Sequence, residues 1–77
     1  MEPDKTEAPT LGAMIKEGRE ALSMTREELG ATVGRRHWTV AAWERDTATP
    51  PSKVLSKIVA RLGLDPASAL MAAGRAS

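Results

Sequence analysis

From Thr10 onward, apolar residues recur every third or fourth position, the spacing that lines one face of an α-helix. Leu11, Met14, Ile15, Ala21 and Leu22 follow it first, while Lys16, Glu17, Arg19 and Glu20 fall largely on the other faces. Thr10 offers its hydroxyl as an N-cap, so a first helix is expected to run to about Leu22. Gly12 and Gly18 each lower helix propensity by about 1 kcal/mol, which makes this helix depend on packing. The next start signal is Thr25-Arg26-Glu27-Glu28, a capping box in which hydroxyl and carboxylate satisfy each other's backbone amides. A short second helix, Arg26 to Val33, then carries Leu29 and Val33 inward and stops at Gly34.

A third helix is expected from His37 to Arg45, with Val40 and Trp43 inward and Asp46 tolerating a left-handed end. Thr47 to Pro51 reads as a loop. Ser52 can cap a fourth helix to Leu62, with Leu55, Ile58, Val59 and Leu62 inward and Lys53, Lys57 and Arg61 outward. Gly63 ends it. Asp65-Pro66 opens a fifth helix holding Ala69, Leu70 and Ala73, with Gly74 as its stop. No segment alternates with period two for long enough to build a sheet. The chain is therefore expected to be all-α, a five-helix bundle.

Residues 1–9 break the pattern. They hold two prolines, three acids and almost nothing apolar, and such a segment cannot offset its ordering entropy. A disordered acidic tail over 1–9 and one domain over 10–77 follow. The whole chain has 77 residues, a size that buries only about 60% of its unfolded surface, so the core must be efficient. There are no cysteines and one histidine, His37, so neither a disulfide framework nor a multi-histidine metal site is available. No cofactor is implied. The apolar runs are too short to span a membrane, and the acidic start is not a signal peptide, which leaves a cytoplasmic location as the expectation.

Net charge, +1 overall, separates into −2 for residues 1–9 and +3 for the remainder. That mild basicity barely favours a nucleic-acid partner. A stronger signal comes from the two short helices joined by a glycine-containing turn, the helix-turn-helix arrangement. Counting from Arg26, the fourth, eighth, fifteenth and eighteenth positions are Leu29, Val33, Val40 and Trp43, which hold the pair together. Gly30 falls where the two helices approach, and Gly34 supplies the positive φ of the turn. An arbitrary helical hairpin has no need for this combination. There is no phosphate-binding glycine loop, and His37 has no recognisable carboxylate partner, so no enzyme is expected.

The stretch Leu22-Ser23-Met24-Thr25-Arg26-Glu27-Glu28-Leu29-Gly30, then Gly34, then Val40-Ala41-Ala42-Trp43-Glu44-Arg45, resembles the phage-repressor (Cro/XRE-type) helix-turn-helix family. The likeness continues through Pro50, Leu55, Leu62-Gly63-Leu64 and the final helix, covering about residues 10–74. It implies a lambda-repressor-like bundle with its helix-turn-helix in helices 2 and 3, binding double-stranded DNA and regulating transcription as a repressor-like protein. Bound chains would be nucleoid-associated. It also implies a buried ion pair between Arg19 and Glu44, a stabilising feature rather than a binding one.

By the same resemblance, base contacts fall to Arg36, His37, Trp38, Ala41 and Ala42. Phosphate contacts fall to Thr25, Arg26, Arg35, Thr39, Arg45, Thr47 and Thr49. The family usually has glutamine where Arg26 stands, valine where Arg35 stands and a small hydroxyl residue where Arg36 stands. Each departure adds positive charge, and the last removes the usual cap. Thr47 and Thr49 replace basic residues often found there, which weakens that half of the clamp. A weak homodimer, formed on DNA, is expected through Leu64, Leu70 and Met71. Trp38 points outward, so a protein partner docking on it, with the chain as an interaction adaptor, is the competing reading.

Overall fold

Local capping bonds set most of the helix boundaries. The computed structural model describes residues 9–76; except for Pro9, the acidic segment 1–9 lies outside them. The described residues form α1 (Leu11–Ala21), α2 (Arg26–Val33), α3 (His37–Glu44), α4 (Ser52–Leu62) and α5 (Pro66–Ala76), with no strand among them. Thr10 caps α1 by accepting the Ala13 amide at 3.1 Å. The capping box of α2 closes in both directions, Glu28 N to Thr25 Oγ1 at 3.0 Å and Thr25 N to Glu28 Oε1 at 2.8 Å. Gly34 and Gly63 end α2 and α4 with φ of 72° and 68°, and Asp46 takes φ 60° after α3.

Four expected boundaries are corrected; the first is the end of α3, which falls at Glu44 with Arg45 as its C-cap. α1 stops at Ala21, because Ser23 turns left-handed at φ 54°; Leu22 becomes the C-cap, 48% exposed, and Met24 enters the core instead. Ser52 is the first residue of α4, not its cap; Pro51 occupies the cap position and no side chain bonds there. α5 does not stop at Gly74 but continues to Ala76, since Gly74 is not among the positive-φ glycines and so cannot act as a left-handed terminator.

Ile15, Leu29, Val40 and Ile58 are the fully buried centre, one residue from each of the first four helices, and α5 closes the core with Ala69 and Ala72. α2 packs most extensively on α3, α1 lies across α3, and α4 and α5 cover the remaining sides. The α1–α3 contact is unusually close. A Cβ on Gly12 would lie 2.5 Å from the Trp43 carbonyl oxygen and 2.6 Å from that of Glu44, so only glycine admits this approach. Asp46 ties the same junction by accepting the Gly12 amide on Oδ1 at 3.0 Å. The end of α3 is thereby fixed against the start of α1, which leaves the opposite face of α3 outward.

Candidate nucleic-acid interface

The turn between α2 and α3 is built from backbone bonds. Gly34 and Arg35 both donate to the Gly30 carbonyl, Arg35 at 2.8 Å. A Cβ on Gly30 would collide with the Arg35 carbonyl oxygen, so the constraint on this glycine is the turn itself rather than the crossing of the helices. Arg36 then takes an extended conformation, φ −82° and ψ 158°, and α3 begins at His37 with no side-chain cap. The missing hydroxyl cap thus leaves the start of α3 where the periodicity places it.

Along α3 the inner residues are Val40, Trp43 and the side chain of Glu44, exposed by 0%, 3% and 2%. Trp38, Ala41, Ala42 and Arg45 stand at i, i+3, i+4 and i+7, a single outward stripe. Trp38 is 58% exposed. It meets the His37 ring edge-on, with centroids 5.2 Å apart, and the Arg36 guanidinium lies 5.4 Å from its ring centroid. Arg36, His37 and Trp38 are thus one exposed cluster at the N-terminus of α3. Ala41, Ala42 and Thr39 are half-buried.

The expected phosphate contacts divide. Thr25 and Arg26 open α2, exposed, and the amides of Arg26 and Glu27 have no hydrogen-bond partner among the described residues. Arg35 is exposed and donates from one terminal nitrogen to the Gly34 carbonyl at 3.2 Å. Arg45 and Thr49 are exposed beyond α3. Thr47 departs from the expectation. Its hydroxyl and its backbone amide both donate to the Ala42 carbonyl, each at 3.0 Å, so both donors are spent within the protein.

The ion pair is present and larger than a pair. Arg19, 8% exposed, donates from Nε to Glu44 Oε2 at 2.7 Å, from one terminal nitrogen to Oε1 at 3.3 Å and from the other to the Met24 carbonyl at 2.7 Å. The hydrogen bond to Glu44 pushes the Arg19 guanidinium above its ordinary value, overcoming burial. Arg26 joins from α2, its Nε donating to Glu44 Oε1 at 3.0 Å. Sequence reasoning missed this third member, because nothing in spacing links Arg26 to Glu44 across two helices.

No helix of the described residues is long and apolar enough to cross a membrane. The chain matches no curated protein and no solved structure. Residues 15–68 match the family model for helix-turn-helix domains of the Cro/C1 type, from the middle of α1 to the first turn of α5. That span covers both helices of the motif, the buried Arg19–Glu44 pair and the exposed Arg36–Trp38 cluster. The chain belongs to the Cro/C1-type (XRE) helix-turn-helix family, whose domains bind DNA as transcription regulators.

Proposed function

We propose that this domain binds specific double-stranded DNA with α3 in the major groove and acts as a repressor-like regulator of transcription in the cytoplasm, on the nucleoid. The observation that carries this reading is the division of α3. Its inner side chains lock it to α1 and α2, while Arg36, His37 and Trp38 stand together and exposed at its leading end.

In this reading Arg36 meets a guanine edge, His37 and Trp38 meet neighbouring base or sugar edges, and Ala41 and Ala42 meet thymine methyl groups. Thr25, Arg26, Arg35, Thr39, Arg45 and Thr49 hold the backbone. Thr47 is not carried into the set, since its donors are occupied. The first turn of α2 supports a phosphate seat, with two unpartnered amides and the Arg26 guanidinium.

One recognition helix covers a half-site, so two chains are placed on a two-fold operator. Leu70 and Met71, 70% and 64% exposed, and the half-buried Leu64 supply the surface where they meet. So small an apolar patch supports association on DNA rather than a stable free dimer. Titration of a fluorescent duplex at two salt concentrations, with sedimentation of the complex, tests the reading. Binding that weakens as salt rises, with two chains per duplex and monomers in the absence of DNA, is the expected result. An absence of binding to any duplex at low salt would sink it and move attention to a protein partner at Trp38.

A further inference from the structure

We propose that Glu44 is a positioning residue for DNA binding: it holds Arg26 so that one edge of the guanidinium is fixed to the protein and the other is presented to a phosphate. This rests on the DNA-binding reading above and deepens it. Glu44 would otherwise be counted only as the partner that keeps Arg19 satisfied.

The geometry separates the two arginines. Arg19 is 8% exposed and spends all three guanidinium nitrogens inside the protein, two on Glu44 and one on the Met24 carbonyl. Its charge is the one that neutralises Glu44. Arg26 has a side chain 45% exposed and gives Glu44 only its Nε, at 3.0 Å from Oε1. Its two terminal nitrogens have no partner among the described residues, and they are the pair that can grip a phosphate bidentately. Arg19 also has the exposed Glu20 carboxylate 3.8 Å from a terminal nitrogen, so its charge is met within the protein, and the guanidinium edge left facing outward is that of Arg26.

The need for such a device is local. Glu27 and Glu28 both stand in the first turn of α2, and Glu28 is committed to the Thr25 amide. Two carboxylates there oppose an incoming phosphate and offset the favourable helix end. A loose arginine could pair with either of them instead. Bonding to Glu44, whose side chain is only 2% exposed, fixes where the charge sits. Because Glu44 belongs to α3, the phosphate contact is also tied in register to the helix that reads the bases.

Lysine at this position distinguishes orientation from charge, since a single ammonium cannot serve Glu44 and bind a phosphate bidentately. Titration of a duplex by wild type, Arg26→Lys and Arg26→Ala over a range of salt concentrations is the test. Arg26→Lys is expected to bind about tenfold more weakly with an unchanged salt slope. Arg26→Ala should bind more weakly still, with the slope reduced by about 0.9 per bound chain. Arg26→Lys within twofold of wild type would show that charge alone suffices. An unchanged slope for Arg26→Ala would show that Arg26 meets no phosphate. In free wild-type protein, the Nε proton of Arg26 should exchange with solvent more slowly than that of Arg45, and equal rates would overturn the positioning. If wild type binds no duplex at all, the DNA reading fails and the role proposed for Glu44 goes with it. The exchange rates still report whether the bond is made.

Discussion

Arg19 and Glu44 face each other through two nitrogens and two oxygens, Nε to Oε2 at 2.7 Å and a terminal nitrogen to Oε1 at 3.3 Å, joining α1 to the end of α3. Truncating Arg19 strands a carboxylate whose side chain is only 2% exposed. Such losses cost about 3–5 kcal/mol, a large share of the stability of so small a domain. Arg26 moderates the loss, because it remains on Oε1. Arg19→Ala is therefore expected near the lower end of that range, and Arg19→Ala with Arg26→Ala to cost more than the two single changes summed. Urea unfolding of the three variants measures it, and strict additivity would show that Arg26 does not share the carboxylate.

Glycines at the close contacts and in the open helix should respond in opposite directions. Gly30→Ala drives a Cβ into the Arg35 carbonyl and must move the turn before α3, at a cost of about 1–3 kcal/mol. Gly74→Ala meets nothing within 4 Å inside α5 and should raise stability by about 0.5–1 kcal/mol. Thermal unfolding of both gives the comparison; a neutral Gly30→Ala would mean that the turn yields freely.

Asp65 supplies an acid-sensitive element. Its carboxylate accepts the Ser68 hydroxyl at 2.7 Å and the Ser68 amide at 2.9 Å, and these bonds, the hydroxyl first, hold its pKa below the ordinary 3.8. A lowered pKa in the folded state means that the contribution is complete above 3.8 and lost as pH falls through the folded value. Asp65→Asn keeps an acceptor but does not titrate. The stability difference between wild type and Asp65→Asn should be flat from neutral pH downward and shift against wild type below about pH 4. A difference independent of pH would show that the carboxylate makes no such bonds.

Much of this fold was legible because its signals are local. Thr25 and Glu28, Gly34 and Asp65 each act within four residues of themselves, and each takes the role that its position in sequence implies; Asp46 does so only in its left-handed backbone, since its carboxylate reaches Gly12. What was not legible depends on tertiary approach. Gly12 reads as a weak helix position, yet it is where α1 touches the α3 carbonyls. Met24 and Val54 escape the periodic pattern and are buried, Met24 because the left-handed Ser23 reverses which neighbour faces in. In the candidate site, the exposed cluster at Arg36, His37 and Trp38 follows from their placement around the start of α3. The Arg26–Glu44 bond and the inward hydroxyl of Thr47 are side-chain choices that spacing cannot fix.

Two tryptophans in opposite environments make Trp38 directly measurable. Trp43 is 3% exposed and Trp38 is 58% exposed, so acrylamide should quench only Trp38 efficiently in the free protein. Duplex DNA should protect it, and Trp38→Ala should weaken binding by about tenfold, equivalent to about 1.4 kcal/mol, without changing stability. Quenching unaltered by saturating duplex would place Trp38 away from the DNA.

Selection from a randomised duplex pool, with sequencing of the fraction bound by wild type and by Arg36→Ala, tests whether α3 reads the bases. Wild type should select a short motif with two-fold symmetry, and Arg36→Ala should lose preference at one base pair of each half-site. Enrichment of no motif, or of the same motif by both proteins, would contradict the assignment of α3 as the helix that reads the bases.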